Sequence, residues 1–293
     1  MAKILITGIT GLIGRHLSEE LSNLGHNIYG VTRRPCSKSS YKAVVIDLSS
    51  DWKISELPTN IDVIYHLAQS DKFRDFPAGA SDIFQVNINS TAKLLDYAKK
   101  TGIKSFIYAS SGGVYGNGNK PFVENEPIVP FGELGYYLGS KTCGEILVQS
   151  YASELQVIIS RPFFVYGKSQ NRSMLIPRLF DNVATGKPVE LSSGDGVKIN
   201  PIHVNDAVKV LMASIYTSES RIYNIGGPEI LSIREICNLF GSYLEKTPNY
   251  KQSNDLPKDL VGDISLISEV LHQPTIKLSE VIPEINNKFK SYH

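Results

Sequence analysis

The chain has few of the features that mark specialised protein classes. Its 293 residues include only three cysteines, Cys36, Cys143 and Cys237, far apart and in no metal-ligand spacing. An odd, scattered set excludes a disulfide framework and a cysteine-built metal centre, and predicts free thiols in a reducing compartment. Net charge is nearly absent, with 30 basic against 29 acidic side chains. Attachment to nucleic acid through phosphate charge needs a basic excess, so no nucleic-acid partner is expected. No apolar run approaches the roughly 18 residues of a membrane span, and the start of the chain has no signal-peptide layout, so the expected location is cytoplasmic and off the membrane. Internal repeats and low-complexity linkers are missing as well. What remains, with 42% hydrophobic residues, is an ordinary globular chain long enough for one large domain or two modest ones.

What is present begins at the N-terminus. An apolar strand from Lys3 to Ile6 breaks into Thr7, Gly8, Gly11 and Gly14, a G-x-x-G-x-x-G variant of the dinucleotide fingerprint G-x-G-x-x-G. Glycines at that spacing let the backbone turn tightly beside a ligand, and the helix that follows aims unpaired N–H groups and its positive dipole end at an anion. That helix reads as Arg15 to Leu24, with Leu17, Leu21 and Leu24 on one face and Gly25 closing it. A second strand follows from Asn27 to Thr32. NAD-preferring sites place an acidic side chain at the end of this strand, whereas Arg33 and Arg34 stand here. Two cations suit a 2′-phosphate and favour NADP over NAD; a solvated basic loop is the alternative.

Strand and helix then alternate. Ala43 to Ile46 is a third strand ending at Asp47, whose carboxylate is placed either for an adenine edge or to cap the next turn. Ile61 to Leu67 is a fourth, closing on Ala68 and Gln69, and its His66 reads as a packed core histidine. Helical period runs from Ile83 to Lys100, with Ala92, Leu95 and Ala98 buried, Asn87 in its early turns and Gly102 as its stop. Ser105 to Ala109 is a fifth strand that delivers Ser110 and Ser111 to the sheet edge where ligands sit in open parallel sheets. The Gly-, Asn- and Pro-rich stretch 112–130 reads as a loop over the site, and Tyr136 to Ala152 as a long helix. A sixth strand, Gln156 to Ser160, runs into Arg161, Pro162, Phe163 and Phe164. Beyond it lie a helix at Leu175 to Thr185, a strand at Pro188 to Leu191, a turn flanked by Gly194 and Gly196, and a helix at Asn205 to Tyr216. A strand at Ile222 to Ile225 follows, then a helix opened by a Ser232/Glu235 capping box and short segments after Pro257. The expected fold is α/β: a Rossmann-type doubly wound parallel sheet in a dinucleotide-binding domain at 1–165, with a smaller substrate-binding lobe at 166–293, some of whose chain returns to the sheet.

The chemistry is expected from Ser111, Tyr137 and Lys141. Tyr137 and Lys141 lie one turn apart on one helix face. A neighbouring ammonium favours the phenolate, making Tyr137 a base for a sugar hydroxyl and, protonated, an acid for a ketone. Ser111 would share the same oxygen, and Lys141 would also hold the nicotinamide ribose. The alternative is a half-buried tyrosine beside a surface lysine.

Taken together, TGITGLIG, HLA at 66–68, NINST at 87–91, YASSGGVYG at 108–116, YLGSK at 137–141 and RPFFVYG at 161–167 resemble the extended short-chain dehydrogenase/reductases, the NAD-dependent epimerase/dehydratase family. IHVND at 202–206, YNIGG at 223–227 and GDIS at 262–265 fit as well. The resemblance implies a Ser/Tyr/Lys catalytic set, a water- or backbone-ordering role for Asn87, a nucleotide-diphosphate sugar as substrate, and a homodimer formed through the helices of Asn87 and Tyr137. With the residue reading it assigns the cofactor to Gly8, Thr10, Gly11, Leu12, Ile13 and Gly14 in the turn. Arg33, Arg34, Asp47, Leu48, Leu67, Ala68, Gln69, Tyr137, Lys141, Pro162 and Phe163 complete that set. The substrate is assigned to Ser111, Gly112, Gly113, Phe164, Arg172 and Arg178, and no metal is expected.

Departures from the family pattern narrow the reaction. Its dehydratases follow the catalytic Ser/Thr with Asp-Glu, where this chain has Gly112 and Gly113. Members that invert C3 and C5 need a Cys and a His that are missing after Ser111 and between Gly167 and Pro177. Redox chemistry at a sugar C4 remains, as a 4-epimerase or a 4-ketoreductase; the rival from another class is a non-catalytic NAD(P)-binding scaffold or redox sensor. Phe164 stands where an Asn often touches substrate, and Ile199 where an Arg meets the diphosphate. Arg172, Arg178 and Lys198 could replace that charge or be solvated side chains.

Overall fold

Strand β1 (Lys3–Thr7) needs apolar cover on both sides: Ile4 and Ile6 pack with Leu17 and Leu21, while Leu5 shares a cluster with Leu94, Leu95 and Phe106. A strand of that kind belongs at the centre of a parallel sheet sandwiched by helices. The computed structural model, which describes residues 1–36, 40–192, 194–255 and 259–286, has that architecture. Pro257 lies outside the described residues. With β1, the sheet contains β2 (Asn27–Thr32), β3 (Lys42–Val45), β4 (Val63–His66), β5 (Ser105–Ala109) and β6 (Gln156–Pro162). After two short strands, β7 (Val189–Ser192) and β8 (Lys198–Ile199), it is completed by β9 (Arg221–Ile225). The order is β3-β2-β1-β4-β5-β6-β9, all neighbours parallel. Connections diverge on either side of β1 and β4, which opens a crevice at their carboxyl ends.

The helices are α1 (Leu12–Asn23), α2 (Ala80–Phe84), α3 (Ser90–Thr101), α4 (Phe131–Gln149), α5 (Leu175–Thr185), α6 (Val204–Ser214), α7 (Ile233–Leu244), α8 (Ser265–Val270) and α9 (Ile282–Asn286). Helices α1 and α6 cover one sheet face through Leu17, Leu21, Val208 and Leu211; α3 and α4 cover the other through Leu94, Leu95, Ala98 and Val148. Each fully buried Leu or Val among these contributes about 1.5–3 kcal/mol of transfer free energy. The C-terminal lobe has its own core, in which Ile176, Leu179 and Phe180 of α5 meet Ile236 and Phe240 of α7. There β7 pairs in parallel with β11 (Tyr250–Ser253), and β8 antiparallel with β10 (Leu231–Ser232). The Ser232/Glu235 capping box forms as expected at the start of α7. Among the described residues no helix is long and apolar enough to cross a membrane.

Among the boundaries that differ from the sequence expectation, three have a clear local reason. Helix α1 begins at Leu12 instead of Arg15, because Gly11 is its extended N-cap and Arg15 N already donates to Gly11 O at 3.1 Å. The helix expected from Ile83 starts at Ala80 and contains a π-helical turn over Gln85–Asn89. That turn carries an extra residue; after it Thr91, Leu94, Leu95 and Ala98 are buried, Leu95 and Ala98 as expected, while Ala92, expected inside, is exposed. Strand β6 continues to Pro162 because Ser160, Arg161 and Pro162 find partners in Tyr223, Asn224 and Ile225. In α4 the backbone breaks at Gly135 (φ 66°, ψ 178°), so the uninterrupted helix carrying the catalytic candidates starts at Tyr136, as expected.

Candidate active site

The glycine turn after β1 is held tight by contacts that leave no room for side chains. A Cβ on Gly8, whose φ is +69°, would lie 2.7 Å from Ala68 N, and one on Gly14 would lie 2.3 Å from Gly8 O. Helix α1 has no side-chain cap, so its first-turn N–H groups at Leu12 and Ile13 are left for an external acceptor. Beside this turn lies a cleft of about 220 Å³, lined by Gly8, Thr10 and Gly11, by Thr32 and Arg33 after β2, by Asp47 and Leu48 after β3, and by Leu67 to Asp71 after β4. A glycine cradle at a helix N-terminus, on the switch point of a parallel sheet, fits a dinucleotide diphosphate. Gly14→Ala has no tolerated position for its methyl, and we expect it to cost about 1–3 kcal/mol of stability and to abolish dinucleotide retention, measured by thermal unfolding and by analysis of the released cofactor.

Behind the cleft, a buried chain of hydrogen bonds fixes the edge of the sheet. His66 Nδ1 lies 2.7 Å from Thr7 Oγ1 and its Nε2 2.9 Å from Thr91 Oγ1. Thr91 donates to Asn87 O, so its oxygen is free to accept from Nε2–H, and Thr7, which accepts from Ala68 N, donates to Nδ1. The ring is therefore the neutral Nε2–H tautomer. Burial, with the nearby Lys141 charge, pushes its pKa down to about 3. As the pH falls from about 6.5, the unfolded chain takes up this proton and the folded one does not until about 3, so stability drops across that window. The loss amounts to a few kcal/mol. We expect His66→Gln to flatten that part of the stability–pH curve, read from urea unfolding at a series of pH values.

Asn87 lies in the π-helical turn and is itself buried. Its Oδ1 accepts from Ser70 N at 3.0 Å and its Nδ2 donates to Ser140 Oγ at 2.9 Å, while Ser140 Oγ donates to the Tyr137 carbonyl. Asn87 thus orders backbone, tying the segment after β4 to the stretch of α4 that carries Tyr137.

Tyr137 and Lys141 point from α4 towards the ends of β4 and β5. The Tyr137 hydroxyl donates to Gln69 Oε1 at 2.8 Å, and its ring packs on Phe73 with centroids 5.2 Å apart. Burial pushes the phenol up to about 12. Lys141 is 1% exposed, and its Nζ donates to Ala109 O at 2.8 Å. Burial brings its pKa down to about 8, opposed by the Glu145 carboxylate one turn further along. Ser111 follows β5 and accepts from Gly113 N at 3.1 Å. The set expected from sequence is thus gathered at one sheet edge.

Other expected residues are placed differently. Gly112 and Gly113 are required by packing: a Cβ on the first would lie 2.6 Å from the Phe163 ring and on the second 2.9 Å from Leu138. Phe163 is 1% exposed, so its ring serves the core under the Gly112–Tyr115 turn and its backbone N–H is bound to Ile225 O. Pro162 and Arg34 do not line the cleft. Phe164 adopts φ +50° at the junction with the C-terminal lobe. Arg172 is drawn away from the sheet edge by Asp181, which accepts from both its Nε and Nη2, and by Ile285 O. Arg178 is exposed on α5, and Lys198 exposed on β8. Asp47 accepts from both Ser49 N and Ser49 Oγ, which fulfils the capping alternative, while still lining the cleft. Arg33 is not the free cation expected: its Nη1 is paired with Asp71 at 2.8 Å. Asp71, Gln69 as the acceptor of Tyr137, and Phe73 all come from the segment after β4, whose composition carries no periodic or motif signal. Among the described residues no cluster of His, Cys, Asp or Glu suits a metal ion.

Residues 4–226 match the model of the NAD dependent epimerase/dehydratase family. The UDP-N-acetyl-alpha-D-glucosaminuronate decarboxylase of Bacillus cytotoxicus is 31% identical over 80% of this chain and 78% of its own. An uncharacterized UDP-glucose epimerase of Bacillus subtilis is 27% identical over 92% of each chain. Among solved structures, UDP-glucuronic acid 4-epimerase from Bacillus cereus, in complex with UDP-glucuronic acid and NAD, superposes with a TM-score of 0.85 at 26% identity, covering 96% of this chain and 97% of that one.

Proposed function

The chain belongs to the NAD-dependent epimerase/dehydratase family, and from that premise we propose that it is a nucleotide-sugar 4-epimerase. It is an enzyme of NAD(P)-dependent hydride-transfer chemistry on nucleotide sugars, in line with its relatives of known structure. Residues of the glycine turn and of the Arg33, Asp47 and Ala68 edges would hold the dinucleotide. When bound, its nicotinamide accepts and returns hydride at the sugar carbon.

The protein's own part is to position the sugar and move a proton. Tyr137, its own proton released to solvent and its Gln69 partner exchanged for the sugar O4, takes the hydroxyl proton as the phenolate while C4 is oxidised and returns it as C4 is reduced. Empty, the phenol is too weak an acid for this, because burial disfavours the phenolate. The positive charge of Lys141, buried one turn away, is what lowers the cost of forming it once water is displaced. Ser111 shares the O4 hydrogen bond. The observation that carries this reading is the Tyr137–Lys141 pair at the ends of β4 and β5, with Gly112 and Gly113 following Ser111 in place of the carboxylates that elimination would need. A non-catalytic scaffold would have no need of a phenol beside a buried lysine at the sheet edge.

The test is incubation of the purified protein with UDP-hexoses and UDP-uronates differing at C4. Interconversion without added reductant supports the epimerase; one-way consumption of a 4-keto sugar with NADPH, and no interconversion, replaces it with the 4-ketoreductase.

A further inference from the structure

The cofactor cleft carries an ion pair that the proposed chemistry does not use. Arg33, directly after β2, and Asp71, five residues after the end of β4, meet across it with Nη1 to Oδ2 at 2.8 Å. Both line the cleft and both are exposed, so nothing in the core requires the pair. The other charged groups lining the cleft are also acidic. Asp47 sits beside Arg33, and Asp82 accepts from Ser70 Oγ, with Lys72 Nζ at 3.8 Å. Among the described lining residues one cation thus faces three carboxylates.

In a Rossmann-type site the residues after the second strand meet the adenosine ribose. A ribose 2′-hydroxyl is a donor and can bond to a carboxylate there. A 2′-phosphate is a dianion that must take Arg33 from Asp71 and then lie against the carboxylate it displaced, at a separation where like charges repel. We propose that Asp71 is the residue that selects the dinucleotide: by holding Arg33 and presenting its own carboxylate to the ribose, it makes the site prefer NAD, although the second strand ends in two arginines. The carboxylate that NAD-preferring sites carry on the second strand is here supplied from the segment after the fourth. The proposal rests on reading this cleft as a dinucleotide site. It matters for the reaction, because an epimerase returns its hydride to the same sugar and has no need of the cellular NADPH pool.

The experiment is a competition. Purified wild type, Asp71→Asn and Asp71→Glu are each equilibrated with an equimolar excess of NAD and NADP, freed of unbound nucleotide by gel filtration and denatured, and the released dinucleotides are quantified. Wild type is expected to release mainly NAD. Asp71→Asn shifts the released ratio about tenfold towards NADP, because Arg33 is freed and a negative charge removed, whereas Asp71→Glu stays close to wild type. Thermal unfolding serves as the folding control, and an exposed position predicts no change in midpoint. The proposal is overturned if Asp71→Asn releases the wild-type ratio, or if wild type already releases mainly NADP. Release of neither nucleotide from wild type overturns the reading of the cleft itself, a result distinct from both.

Discussion

Tyr137→Phe is expected to lower epimerisation by about 10²–10⁴-fold, the range of a lost general acid–base group, while the protein stays folded and keeps its dinucleotide. The substitution removes one oxygen. That oxygen donates to Gln69 Oε1, so the stability cost is that of a hydrogen bond at a half-buried site, about 0.5–1.5 kcal/mol. The ring itself keeps its packing on Phe73. A structural tyrosine would behave differently, with loss of activity following loss of folded protein. Steady-state kinetics alongside thermal unfolding and cofactor release separates the two: a large fall in turnover with a midpoint lowered by only a few degrees and unchanged nucleotide content is the expected pattern.

Glu145→Ala is expected to destabilise the fold by about 3–5 kcal/mol. Glu145 and Arg161 are both almost fully buried, with Nε to Oε1 at 3.0 Å and Nη2 to Oε2 at 2.6 Å. Arg161 Nη1 also donates to the Tyr115 hydroxyl at 2.7 Å, and that hydroxyl donates to Asn224 Oδ1. Glu145 accepts as well from Ser110 Oγ, next to the Ala109 carbonyl that holds Lys141. Removing the carboxylate leaves a guanidinium in the core without its counter-ion, and frees the end of β5 where Ser111 begins. Replacing both partners by apolar residues, as in Glu145→Leu with Arg161→Met, removes the stranded charge and is expected to restore most of the stability. Urea unfolding of the single and double variants measures this; a single-variant loss below about 1 kcal/mol would show that the pair contributes no more than a surface ion pair.

The parts of this site that could be read from sequence are those in which cause and effect lie within a few residues. The glycine turn, Tyr137 with Lys141, and the Ser232 capping box are local, and each formed where its spacing placed it. The parallel sheet with helices on both faces followed from the alternation of apolar strands and helices. What could not be read depends on partners far apart in the chain. Arg33 was judged by its neighbours in sequence, while its charge is answered by Asp71, 38 positions away. Arg172 was judged as a candidate for substrate, while Asp181 on α5 and Ile285 O claim its guanidinium. Gly112 was assigned to the substrate, whereas its missing Cβ makes room for the Phe163 ring, 51 positions later in the numbering. The π-helical turn at Asn87 left no mark in the apolar period, and Ala92, expected inside together with Leu95 and Ala98, is exposed.

The central claim is that C4 is oxidised and reduced within one site, with Tyr137 carrying the proton. The most direct test supplies a UDP-sugar deuterated at C4 in ordinary water and follows the label into the C4 epimer by mass spectrometry. The account predicts that the product keeps deuterium at C4 and that Tyr137→Phe forms almost none of it. Product with hydrogen at C4, or an epimer formed equally well by Tyr137→Phe, would contradict it.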